Sequence, residues 1–250
     1  MRIILCAALA VAMTATVGAR AAVSPLEDTR IPISTLIRED LFAGILQHDM
    51  GRMAIGEANL ERLLVERPND RAGLMSWKGA ALLTRAAYAY EAGNKAQCRS
   101  LHKQSQAAFD EAKRLGPMDN TVFAVNGAGP LLFADRLPKE DRAQAWQQAY
   151  ENYQAMWKGQ GQIADKLPSH IRGELIAGVT MTAQRTGRQA EADAALDKML
   201  VLTKGSAYET QALRWKADPK LQASTSLACQ NCHDDGRLGA VMSRLPANKG

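Results

Sequence analysis

Four cysteines in 250 residues leave little with which to staple a fold. Cys6 sits in an apolar leader, Cys98 stands alone, and Cys229 and Cys232 lie close together near the end. A disulfide framework is therefore excluded unless the last pair closes on itself. Strand-like alternation of apolar and polar residues is absent, which argues against a β or α/β chain. No H-E-x-x-H, G-x-S-x-G or Walker sequence occurs, so nothing supports a hydrolase. Gly127-Ala128-Gly129 and Gly159-Gln160-Gly161 lack both a preceding strand and a third glycine, so neither reads as a dinucleotide loop. Basic residues do not run together with aromatics, and the net charge is only +5, part of it in the leader. That balance is too weak to argue for nucleic acid or an acidic membrane surface.

The one long apolar run is at the start. Arg2 precedes Ile3 to Val17, and Ala19-Arg20-Ala21 has the small-x-small form of a cleavage site. The run is short for a bilayer span and Arg20 closes it. Residues 1–21 are expected to be a secretory signal, with the mature chain starting at Ala22 in the periplasm and no transmembrane segment left after cleavage. An uncleaved anchor is the alternative. Cys6 leaves with the leader.

What the chain does have is Cys229-Gln230-Asn231-Cys232-His233. C-x-x-C-H is the attachment signature of c-type haem. Two thiols add across the porphyrin vinyl groups, and the two-residue gap lets one turn reach both. The adjacent histidine then falls beneath the iron as its proximal ligand. One covalent haem c is expected, bound by Cys229 and Cys232 and ligated by His233. Attachment of this kind occurs outside the bacterial cytoplasmic membrane, so leader and motif agree. Cys98 shares a helical stripe with Leu101, Ser105, Ala108 and Ala112, and is read as a buried core thiol.

The body, residues 37–217, is rich in Ala, Leu, Gln, Glu, Lys and Arg, all good helix formers. A first hairpin carries Gly44, then Gly56, Leu60, Leu63 and Pro68, turning at His48-Asp49-Met50-Gly51. A second runs from about Ala72 to Glu91, turns at Ala92-Gly93-Asn94, and continues to Leu115 with Ser105, Phe109, Ala112 and Pro117 at matching spacings. Asp119 to Pro138 reads as irregular, broken by Gly127, Gly129 and Pro130. Lys139 to Lys158 forms a helix with Trp146, Tyr150, Tyr153 and Trp157 on its buried face. The last hairpin starts at Pro168-Ser169, with Ser169 as N-cap. It presents Ile176, Val179 and Ala183, turns at Thr186-Gly187-Arg188, and then presents Ala192, Leu196 and Met199. Ser206 to Ala217 caps the array with Tyr208, Ala212 and Trp215.

These recurring positions resemble the tetratricopeptide repeat over roughly residues 37–217. The resemblance implies an all-α chain of antiparallel helical hairpins stacked as a TPR-like solenoid, with a groove that binds peptides or proteins. It implies no catalysis. Residues 22–36 are expected to be an extended N-terminal segment and 218–250 a short haem-binding tail.

That tail is too short for a class I cytochrome c, whose haem motif opens its domain. Cys229, Cys232, His233, Asp234, Asp235 and Arg237 instead resemble the end of class II cytochromes c, the cytochrome c′ type, with Gly236 departing where an aromatic is usual. Pro219 also leaves room for only a short helix ahead of the motif. A haem-bearing tail that folds back onto the helical array is the expected arrangement. Met242 and His170 are the candidate distal ligands. Each has a plainer reading, Met242 in helical packing with Leu238, Val241 and Leu245, His170 as an exposed or capping residue. His102 and His48 carry less weight, a five-coordinate iron remains open, and Arg237 is a candidate propionate partner.

The expected function is an exported monohaem c-type cytochrome-like protein that transfers electrons and docks a protein partner through its helical body, an electron carrier or binding protein rather than an enzyme. The alternatives are a non-haem scaffold holding zinc or a redox dithiol at Cys229, Cys232 and His233, and a haem-based small-ligand sensor. Structural zinc normally wants a second ligand pair, and the chain has none to offer.

Overall fold

A computed structural model describes residues 25–220 and 237–245. They are mostly helical, with no strand among the described residues. The helices are α1 (Ile33–Gln47), α2 (Met50–Glu66), α3 (Arg71–Glu91), α4 (Lys95–Leu115), α5 (Asn120–Phe133), α6 (Lys139–Gln160), α7 (Ser169–Arg185), α8 (Gln189–Leu202), α9 (Ala207–Ala217) and α10 (Arg237–Met242). Single 3-10 segments cover Pro68–Asp70, Ala134–Arg136 and Gly161–Lys166. No helix among the described residues is long and apolar enough to cross a membrane.

Consecutive helices pack as pairs, α1 with α2, α3 with α4, α5 with α6 and α7 with α8. The pairs join through α2 with α3, α3 with α5, and α6 with α7, while α9 closes the end against α8. One apolar core runs from Ile31 to Trp215 through every pair. Trp215 is wholly buried and fastens α9, a side chain whose removal costs about 3–5 kcal/mol at such a site.

Two hairpin turns share one stop signal. After α3, Gly93 takes φ +79°, the Gly93 N–H donates to the Tyr90 carbonyl (2.9 Å) and the Asn94 N–H to Ala89 (2.8 Å). After α7, Gly187 takes φ +76°, the Gly187 N–H donates to Gln184 (3.0 Å) and the Arg188 N–H to Ala183 (2.8 Å). Both are Schellman stops, in which only glycine enters the left-handed region without a Cβ penalty. The starts of α2, α4 and α5 are capped by Asp49, Asn94 and Asp119, whose side chains accept backbone N–H bonds at 2.7–3.1 Å.

Three local expectations change. The stretch 119–138 is not irregular, because Asn120–Phe133 is a helix. Its glycines serve packing: Gly127 lies against Tyr153 and Asn152, and Gly129 against Phe109, Ala80 and Leu83. Pro130 is held inside that helix, whose residues Val122, Phe123, Val125 to Gly127, Gly129 to Leu131 and Phe133 are buried. A helix covered on most sides has no polar stripe, so no 3.6-residue period marks it. Ser169 is the first helical residue of α7 rather than its cap, and Pro168 occupies the cap position without a side-chain bond. The first hairpin turns on His48 and Asp49 alone, since Met50 and Gly51 already belong to α2.

The segment before α1 is tied down. Arg67, only 7% exposed, donates from Nη1 to the Ile31 carbonyl (2.8 Å) and from Nη2 to those of Leu26 (2.8 Å) and Asp28 (2.6 Å). Helix α1 begins at Ile33, four residues earlier than the sequence pattern places it.

Candidate functional site

Cys229, Cys232 and His233 lie outside the described residues, as do Asp234 and Asp235. The chain is described again from Arg237, where α10 begins. This short helix packs on α1. Leu238, Val241 and Leu245 are half-buried against the core, and the Leu238 N–H donates to Glu39 Oε1 at 2.8 Å. A carboxylate facing the first N–H groups of a helix satisfies donors that the helix itself leaves open. On the other side of the motif, Gln184 Nε2 donates to the Pro219 carbonyl at 2.9 Å, which holds the chain beside the end of α7.

The helices enclose a cleft of about 350 Å³. Its walls come from α1, α3, α5, α6 and α7. Phe42, Trp77, Phe133, Tyr153 and Met156 make it apolar and largely aromatic. Ala124 and Ala128, one turn apart on α5, and Gly129 keep it open. Arg38 and Glu174 are the charged residues among those lining it. The Trp77 indole N–H, on a side chain 6% exposed, has no acceptor among the described residues. An apolar cavity with a few polar groups is the usual form of a small-molecule site, commonly ~300–1,000 Å³.

The histidines scatter. His170 is half-buried in the first turn of α7, next to the cleft residue Ile171, but is not itself among the lining residues. His102 is buried in α4, its Nδ1 3.5 Å from the Asp141 carboxylate and its Nε2 3.2 Å from Gln106 Nε2. His48 adopts φ 59° in the α1–α2 turn with its ring 4.1 Å from that of Tyr88. Met242 closes α10 and is 43% exposed, so the packing role falls to Leu238, Val241 and Leu245. The pattern that placed Met242 on the packing face is off by one neighbour. Among the described residues no group of three or more His, Cys, Asp or Glu side chains converges as a metal site.

Cys98 is fully buried among Ala86, Ala89, Tyr90 and Leu101. Burial pushes its thiol above the ordinary range, with Asp141 and Glu140 adding to the effect. A thiol so placed is poorly nucleophilic, which fits a core role.

The residue that the sequence pattern passed over is Met156. It stands three positions after Tyr153 on the buried face of α6 and looks there like one more core side chain. Only the convergence of five helices shows that it borders open space. No family model, curated protein or solved structure matches this chain.

Proposed function

We propose that this chain is an exported monohaem c-type cytochrome-like protein that carries electrons between protein partners in the periplasm. Cys229 and Cys232 hold the haem through thioethers, and His233 is the proximal ligand of its iron. When bound, that group supplies a one-electron Fe(III)/Fe(II) couple, reduced by one redox protein and reoxidised by another. The paired helices form a TPR-like solenoid whose surface docks those partners.

The observation that carries this reading is Cys229-Gln230-Asn231-Cys232-His233 in a tail whose following helix is seated on α1. A freely hanging motif would expose both haem faces to water. Leu238, five residues past His233 in the sequence, is held on the helical body, which offers apolar protein to cover them.

The test is a pyridine haemochrome spectrum of protein exported with the cytochrome maturation machinery, followed by a redox titration. One covalent haem per chain with a reversible one-electron wave supports the reading. Absence of covalent haem, or stoichiometric zinc in its place, overturns it.

A further inference from the structure

We propose that the cleft between α1, α3, α5, α6 and α7 is a lipid site for one single-chain amphiphile with an uncharged, hydrogen-bonding head, of the monoacylglycerol class. The inference goes beyond the electron-transfer reading and does not depend on it.

The shape of the site follows from α5. Thr121, Ala124, Ala128 and Leu132 recur at spacings of three, four and four, and all of them are half-buried and line the cleft. Every other residue of α5 after Asn120 is buried. The open stripe of this helix therefore belongs to the cleft, and Ala124 and Ala128 leave room at its middle. From Asn120 to Phe133, which also line it, the stripe runs ~20 Å at ~1.5 Å per residue. Helix α1 adds a second stripe, Ser34, Arg38, Phe42 and Ile45, that runs ~17 Å. The cleft is long rather than round.

Polarity is divided along that length. Consecutive helices reverse direction across short turns, so α1, α5 and α7 begin at the end of the array where α6 finishes. The polar lining gathers there. Ser34 and Arg38 lie in the first two turns of α1, Asn120 and Thr121 open α5, Gln160 ends α6, and Glu174 is in the second turn of α7. Farther in, the Tyr153 hydroxyl is the one polar side-chain group of an otherwise apolar lining that includes Phe42, Trp77, Met156 and Phe133. A molecule with one polar end and one long apolar end matches this division, the few polar groups fixing its orientation. A rigid ring compound occupies only part of the length, whereas an extended acyl chain follows it to Phe133. Met156, unbranched and flexible, adapts to the chain.

The charges at the polar end choose the head. Arg38 and Glu174 are of opposite sign, so the lining carries no net charge. A carboxylate head gains from one and loses to the other, with no surplus to offset its desolvation. Ser34, Asn120, Thr121 and Gln160 instead supply hydroxyl and amide groups, donors and acceptors suited to a hydroxyl or ester head.

The experiment is isothermal titration calorimetry of the full chain, purified after export, with monocaprylin, monocaprin and monolaurin below their micelle-forming concentrations. Laurate is the charged counterpart and naphthol the ring-shaped one. Each methylene buried in apolar surroundings is worth about fourfold in affinity, so each two-carbon step should tighten binding roughly tenfold. Laurate and naphthol should bind more weakly than monolaurin. Glu174→Gln, which leaves Arg38 as the charged residue of the lining, should bring laurate ahead of monolaurin. Ala128→Trp fills the open stripe and should abolish binding of all three monoglycerides while the far-UV circular dichroism stays that of wild type. Ala124→Leu is a milder filling for the case in which Ala128→Trp does not fold, and should weaken monolaurin roughly tenfold. Val65→Trp, at a position 81% exposed and outside the lining, should bind as wild type does.

Affinity that does not change with chain length, or naphthol binding more tightly than monolaurin, overturns the acyl chain as the occupant. Laurate ahead of monolaurin in wild type overturns the uncharged head. Undiminished binding in folded Ala128→Trp or Ala124→Leu overturns the cleft as the place. No binding of any monoglyceride overturns the proposal outright. None of these results bears on covalent haem, which the haemochrome spectrum reads separately.

Discussion

Replacing Arg67 by methionine isolates the contact that fastens the N-terminal segment. Methionine keeps an aliphatic stem and removes the guanidinium, so three backbone carbonyls lose its N–H groups together, the Asp28 carbonyl keeping only the Ile31 N–H. The Leu26 and Asp28 bonds lie in partly buried surroundings, and those carbonyls regain water when the side chain is cut. The Ile31 bond is buried. A buried acceptor left unpaired costs about 1–3 kcal/mol, and a hydrogen bond to a charged donor contributes about 1.5–3 kcal/mol. With rehydration offsetting part of the loss, the expected destabilisation is about 3 kcal/mol, or roughly 6–12 °C in Tm for a chain of this size. Arg62→Met is the control, since its bonds to Glu27 and Glu66 are exposed and worth about 0–1 kcal/mol. Urea unfolding followed by far-UV circular dichroism gives both values, and hydrogen exchange at Ile31 reports whether the segment has come loose. If Arg67→Met unfolds within ~1 kcal/mol of wild type, or no earlier than Arg62→Met, the buried bond does not hold the segment as argued.

Gly178→Val should destabilise by about 1–3 kcal/mol, because its Cβ collides with the Tyr153 ring; thermal melts no lower than wild type would show that α6 and α7 are not in that close register. Cys98 should resist alkylation at mildly alkaline pH in the folded protein, reacting roughly 100-fold more slowly than in urea; rapid native labelling would contradict its place in the core. Arg136 holds the Glu91 carboxyl below the usual glutamate range, so this contact stabilises the fold above that range and the contribution fades as pH falls through the lowered value. The gap in urea midpoint between wild type and Glu91→Gln should therefore close in acid, and a gap independent of pH would refute the pairing.

The sequence pattern was most legible where a helix had one wet face and an explicit stop. α3 and α4 alternate buried and exposed residues at helical spacing, and Gly93 announces the turn between them. The same combination exposes α7, Gly187 and α8. α5 was hidden for the opposite reason: surrounded by other helices, it uses Gly127 and Gly129 for close approach and tolerates Pro130, so the residues that signal a loop elsewhere mark a buried helix here. Ser169 looked like a cap because its type and position suit one, yet the backbone turns one residue earlier at Pro168. The candidate site divides along similar lines. A local motif, Cys229 to His233, is readable from five letters because its chemistry depends on sequence spacing. The cleft is built from side chains contributed by five helices, and no local spacing brings Arg38, Trp77, Ala128 and Met156 together.

The account turns on whether this chain carries covalent haem at Cys229 and Cys232. The pyridine haemochrome spectrum of the exported protein, set against a Cys229→Ser, Cys232→Ser double variant, measures that directly. The account predicts one covalent haem per wild-type chain and none in the double variant. A wild-type chain exported and folded beside a working maturation system, yet free of covalent haem, would contradict it.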